Sequence, residues 1–279
     1  MDNQLECGRQ TLDLSQPQVM AVLNITEDSF SDGGRWLNPQ RALERAIQMA
    51  TEGAGIIDIG GESTRPGAIP VSIAEELERV IPVIEAISAA VEIPLSIDTS
   101  KAEVMTAAVA AGAGMINDVW GLRQAGALQA AAKAKVPVCI MHMQGQPENM
   151  QKQPHYENVL EEINAFFSQR ISAVTAAGIE TEKLLLDPGF GFGKTLEHNL
   201  SILANLDTFA HFKLPLLVGI SRKSMLGEVT GADISDRMPA GIAAATIAVR
   251  QGAKIIRTHD VAATVQAMKL SYAVMAVDL

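Results

Sequence analysis

The residues in this chain that could do chemistry recur at one kind of place, the polar end of a short apolar run. Asn24 ends the first run, and Asp58 stands before Gly60-Gly61-Glu62. Then come Asp98, Asn117-Asp118, His142, Asp187, Ser221-Arg222-Lys223, and Arg257 with His259. Carboxylates and amides of this kind recognise polar edges of planar molecules, and guanidinium and ammonium groups bind anions. Asp187, ahead of Pro188, reads either as a turn-initiating Asp or as a carboxylate taking two N–H bonds from an amidine-like heterocycle edge. Asp98 and Asn117 carry the same two readings, with Asp98 as helix cap or as ligand acceptor. Ser221-Arg222-Lys223-Ser224 sets two cations before a helix start, which is either a covered surface or a site for a carboxylate or phosphate. Arg257 and His259, two apart on one strand end, share a face and would grip a diphosphate, with Thr258 between them counted as a third contact.

Other motifs carry less. Gly189 to Lys194 with Thr195 ends like a phosphate loop, but Pro188 stands where that motif needs glycine, so a glycine turn lying close to a planar ligand is the preferred reading. His142, His155, His198 and His211 lack metal-ligand spacing and read as structural or surface residues. Two long polar segments, 24–38 and 60–71, read as mobile loops over a site.

Placing these residues requires short strands. Apolar runs at 19–23, 56–59, 95–97, 115–116, 138–141, 184–186, 216–218 and 254–256 alternate with Ala-rich helical patterns at 39–52, 73–90, 102–111, 124–134, 156–177, 198–205, 241–251 and 261–277. Asn38-Pro39 and Ser100 read as helix starts, and Gly53, Gly112, Gly178 and Gly252 as stops. Eight such pairs predict an α/β chain folded as one (β/α)8 TIM barrel over 1–279, in which all the polar strand ends meet at one mouth. Residues 1–18 are expected to form a hairpin closing the barrel bottom. A doubly wound open sheet shares the local pattern and is the alternative.

Composition narrows the partners. With 279 residues, 48% hydrophobic and 4% aromatic, the chain builds its core from aliphatic side chains. The 32 acidic against 22 basic residues give a net charge of −10, which argues against nucleic acid as a partner. Two distant cysteines, Cys7 and Cys139, suit a reducing compartment. No run approaches a membrane span and the start lacks signal-peptide order, so a cytoplasmic protein is expected.

In combination, MAVLNITEDSFSDGG at 20–34, DIGGESTRPG at 58–67, SIDT at 96–99, DPGFGFGK at 187–194 and SRKS at 221–224 resemble the bacterial dihydropteroate synthases along essentially the whole chain. Glu27, where the family usually has Pro, and Ala21, for a common Gly, depart from the pattern. The resemblance implies a pterin-binding transferase of folate synthesis that joins 4-aminobenzoate to (7,8-dihydropterin-6-yl)methyl diphosphate. It further implies that Asn24 binds Mg2+ and that Asp98, Asn117, Asp187 and Lys223 hold the pterin. Arg257 and His259 would take the diphosphate under Thr64 and Arg65. Ser224 would take the aminobenzoate carboxylate, and Phe30, Pro66 and Phe192 its ring. Asp98, Lys223 and Arg257 are the catalytic candidates, sulfonamides the expected competitors, and a homodimer the expected assembly. An aniline nitrogen is neutral at pH 7, so neither a strong general base nor a covalent enzyme intermediate is expected. A pterin-dependent methyltransferase and a non-catalytic pterin-binding protein are the alternatives.

Overall fold

Residues 3–25, 39–63, 69–146 and 149–277 are described by a computed structural model. Eight parallel strands close a barrel in chain order: β3 (Gln18–Asn24), β4 (Ile56–Gly60), β5 (Leu95–Asp98), β6 (Met115–Asp118), β7 (Val138–Met141), β8 (Leu184–Asp187), β9 (Leu216–Val218) and β10 (Ala253–Thr258). The pairing of β10 with β3, from Ile255 opposite Gln18 to Thr258 opposite Ala21, seals the sheet and rules out the open alternative. Around it run α1 (Pro39–Thr51), α2 (Ile73–Ser88), α3 (Ala102–Ala111), α4 (Ala127–Ala134), α5 (Val159–Ala176), α6 (Leu196–Ala204), α7 (Ser224–Thr230), α8 (Met238–Arg250) and α9 (Val261–Met275).

Strand parity decides what each side chain meets, because successive residues point to opposite faces. Met20, Ile56, Met115, Cys139, Leu185, Leu217 and Ile255 form one buried cluster inside the barrel. Their neighbours Ala21, Ile57, Ile116, Val138, Ile140, Leu184, Leu186, Leu216, Val218 and Ile256 belong to the larger cluster beneath the helices. A hairpin of β1 (Gln4–Cys7) and β2 (Gln10–Asp13) sets Leu5, Cys7, Leu12 and Leu14 into the interior cluster. Two residues up four of the barrel strands the same inward face turns polar: Ile56 gives way to Asp58, Met115 to Asn117, Leu185 to Asp187 and Ile255 to Arg257; on β5, Ser96 precedes Asp98.

Local signals set most helix ends. α1 opens on Pro39, whose missing N–H is an orphan there anyway. Asn158 caps α5 by accepting from Leu160 N and Glu161 N, and Thr195 and His198 form a capping box on α6. Ser100 does not cap α3 as expected: its hydroxyl donates to Asp118 Oδ1 at 2.6 Å, and Lys101 takes the cap position without a side-chain bond. The seven-residue α7 is an element that the periodicity did not predict; so short a helix presents no readable stripe.

Candidate active site

Four strands that are not all neighbours send side chains to a common point at the carboxyl end of the barrel. Arg257 Nε of β10 donates to Asp58 Oδ2 of β4 at 2.6 Å, and its Nη2 donates to Asp98 Oδ2 of β5 at 2.7 Å. Asn117 Nδ2 of β6 donates to the same Asp58 Oδ2 at 3.0 Å. Burial pushes the Asp98 carboxyl up to about 7; Arg257 pulls the other way, and the charges of Asp58, Asp118 and Glu76 add to the rise. Arg257 is itself held above its ordinary value, its desolvation outweighed by Asp58 and Asp98. Asp98 thus faces the mouth, paired with Arg257, and does not cap a helix.

Across the mouth, Asp187 Oδ1 accepts Gly189 N at 2.7 Å. Burial raises its carboxyl, opposed by that N–H and by Lys223 and Lys194. Lys223 donates to the Phe190 carbonyl and lies 4.2 Å from the centroid of the Phe192 ring. Its ammonium is lowered by burial to about 8, with Asp187 opposing. Phe192 packs with Val119, Trp120, Met141, Met143 and Met150, an apolar shelf that the polar motifs did not announce.

The glycine-rich turn is held by contacts within its own loop and with the segment after β7. Lys194 is buried and folds back into its own loop, donating to Gly189 O at 2.9 Å, Phe192 O at 3.0 Å and His142 Nδ1 at 3.0 Å. Glycines 189 and 193 are required by neighbouring backbone: a Cβ on Gly189 would lie 2.0 Å from His142 O, and one on Gly193 2.5 Å from Gln144 O. The turn therefore packs on segment 142–146 and shapes the shelf through Phe192. His142 is structural, as the sequence suggested.

At the ninth and tenth strands, Ser221 accepts His259 N at 3.2 Å and lies 3.0 Å from His259 Nδ1. Since that backbone N–H occupies a lone pair of the hydroxyl, the Ser221 O–H is available to Nδ1. Arg222 is exposed and pairs with Asp260 at 2.6 Å. Thr258 has the parity opposite to that of Arg257 and His259, and its buried hydroxyl contacts Thr264 Oγ1 at 3.1 Å and accepts Asp260 N, which ties β10 to the start of α9. Ser224 is exposed in the first turn of α7.

Asn24, at the end of β3, turns its Oδ1 toward Gly60: a Cβ there would lie 3.8 Å from Asn24 Oδ1 and 3.8 Å from Asp98 Oδ2. Asn24 Oδ1 is a hard oxygen donor of the kind Mg2+ takes, whereas Asp98 Oδ2 already accepts Arg257 Nη2. Glu62 accepts Val71 N at 2.9 Å and binds Lys101 at 2.8 Å, while Lys101 also binds the buried Glu76. The expected contacts Phe30, Thr64, Arg65 and Pro66, the departure Glu27, and most of the first loop lie outside the described residues.

Residues 20–259, which build this mouth of two carboxylates, an amide, a paired arginine and a lysine over an aromatic ring, match the model of the family described as pterin binding enzyme. The chain belongs to that family. It is 55% identical over 260 residues to the dihydropteroate synthase of Escherichia coli (strain K12), covering 93% of this chain and 92% of that one. It superposes with a TM-score of 0.94 on the Yersinia pestis dihydropteroate synthase solved with a sulfonamide drug, at 54% identity over 98% and 99% of the two chains. On the Xanthomonas albilineans dihydropteroate synthase solved with 7,8-dihydropteroate the TM-score is 0.89, at 47% identity over 98% and 99%. The pterin-binding chain described here is thus a transferase of the dihydropteroate synthase kind.

Proposed function

We propose that this chain condenses (7,8-dihydropterin-6-yl)methyl diphosphate with 4-aminobenzoate, giving 7,8-dihydropteroate and diphosphate. The observation that carries the reading is the inward ring of Asp98, Asn117, Asp187, Lys223 and Arg257 in a chain that matches dihydropteroate synthases along nearly its whole length. Asp98, Asn117 and Asp187 offer acceptors to the N–H groups of a pterin, and Lys223 offers a donor to its carbonyl edge. Phe192 packs the aminobenzoate ring, and Ser224 receives its carboxylate. Arg257 and His259, with Thr64 and Arg65, hold the diphosphate.

In the reaction the C–O bond breaks with its electron pair leaving on diphosphate, and the aniline lone pair forms the C–N bond while one nitrogen proton passes to solvent. Asp98 stabilises the positive charge that develops on the pterin methylene. Arg257 is already neutralised by two carboxylates, so a diphosphate leaving group calls for further positive charge. Asn24 would hold Mg2+ through its amide oxygen, and the ion supplies that charge when bound.

A homodimer and a cytoplasmic location belong to the same proposal. Exposed Ile247 on α8 and Leu270 and Val274 on α9 support an interface at the last helices. Free, buried Cys7 and Cys139 support a reducing compartment. Among the described residues no helix is long and apolar enough to cross a membrane, and the net charge of −10 disfavours nucleic acid.

The experiment is product analysis by mass spectrometry with both substrates and Mg2+. Dihydropteroate is expected, with its formation lost in EDTA and restored by added Mg2+. No product under those conditions would refute the function, and product undiminished by EDTA would refute the metal.

A further inference from the structure

Asp58 is fully buried on β4, and the substrate contacts proposed above give it no ligand. Its Oδ2 accepts both Asn117 Nδ2 and Arg257 Nε, while its Oδ1 is buried without a hydrogen-bond partner. A half-satisfied buried carboxylate is a poor choice for stability alone. What it supplies is orientation. A carboxylate oxygen only accepts, so the Asn117 amide must turn its Nδ2 to Asp58, and the amide oxygen becomes the atom left for a ligand. No hydrogen bond to that oxygen is found among the described residues. The same Asp58 oxygen fixes the guanidinium plane of Arg257 from one side while Asp98 fixes it from the other.

We propose that Asp58 is a positioning residue that sets the hydrogen-bonding sense of the pterin site. It makes Asn117 an acceptor, so that Asn117, Asp98 and Asp187 together select a heterocycle edge that donates N–H and reject one that offers ring-nitrogen lone pairs. This rests on the pterin reading of the mouth. Titrating the wild-type protein with 6-hydroxymethyl-7,8-dihydropterin tests that reading by itself, and absence of binding there would overturn it.

The positioning role is tested with Asp58→Asn and with the swap Asp58→Asn/Asn117→Asp. In the single variant, the residue at 58 can donate, and the Asn117 amide is free to reverse. Calorimetry with the same pterin is expected to show a loss of about tenfold, the size of one misoriented polar contact. KM for the pterin diphosphate should rise in parallel, while KM for 4-aminobenzoate stays within about twofold. In the swap, the amide at 58 donates to the carboxylate at 117, whose second oxygen again faces the ligand as an acceptor, while Arg257 Nε loses its acceptor at 58, so pterin affinity should return in part and KM for the pterin diphosphate should stay raised. A packing role alone would lower the thermal midpoint without separating the two KM values and would not be rescued by the swap. Wild-type pterin affinity in Asp58→Asn, or a swap no better than the single variant, would overturn the proposal. Should the variants fail to fold, wild-type NMR decides it. A through-hydrogen-bond coupling between Asn117 15Nδ2 and Asp58 13Cγ is expected with and without the pterin, and its loss on pterin binding would overturn the proposal.

Discussion

Two groups in the mouth sit near neutrality for opposite reasons. Burial raises Asp98 to about 7 against the pull of Arg257, and lowers Lys223 to about 8 against the pull of Asp187. The pterin site needs Asp98 ionised and Lys223 protonated. Below about 7 the first condition fails as Asp98 takes up a proton, and above about 8 the second fails as Lys223 loses one. The pH profile of kcat/KM for the pterin diphosphate should therefore be a bell with limbs near these values, and Asp98→Asn should remove the acid limb. A flat profile across both limbs would contradict the roles given to both groups. At this scale the polar strand ends were legible from the chain, because several strands carry their chemistry two residues beyond an apolar interior position, as Leu185 precedes Asp187. What was not legible is how those groups use one another. Asp58 looked like one polar strand end among eight until Asn117 and Arg257, 59 and 199 residues away, were found on the same oxygen. Thr258 lies in the same motif with its hydroxyl turned to Thr264.

Helix boundaries were readable where the signal is local and misread where a distant partner competes. Pro39 was read and opens its helix; Asn158 and Thr195 cap theirs within one turn but were not read as starts, and those two helices were placed from 156 and 198. Ser100 instead spends its hydroxyl on Asp118, 18 residues on. The glycines after β8 show the same limit, since the carbonyls that require them belong to the β7–α5 connection. The capping box gives a measurable case. Thr195→Ala removes the side-chain bond to His198 N and should cost about 1 kcal/mol, lowering the thermal midpoint by roughly 2–4 °C for a chain of this size. Calorimetry checks it, and an unchanged midpoint would show that the cap contributes nothing.

For the whole molecule, one alternation separates stability from function. Inward residues at the bottom of the barrel form an apolar plug with the β1–β2 hairpin, and those at the top form the site. Leu12→Ala, a buried leucine of the hairpin, should cost about 2–5 kcal/mol in denaturant unfolding while kcat stays at the wild-type level; a fall in kcat would show that the two ends are coupled. The overall charge of −10 likewise hides its arrangement, since Arg257 meets two carboxylates and the mouth holds cations and anions in contact. The central claim is that these upper inward side chains perform the condensation, and Asp187 tests it most directly, because it lies on the wall opposite the Arg257 ion pairs. Steady-state kinetics of Asp187→Ala should show kcat/KM for the pterin diphosphate reduced by about a hundredfold or more. Dihydropteroate formation by Asp187→Ala at the wild-type kcat/KM would contradict the claim.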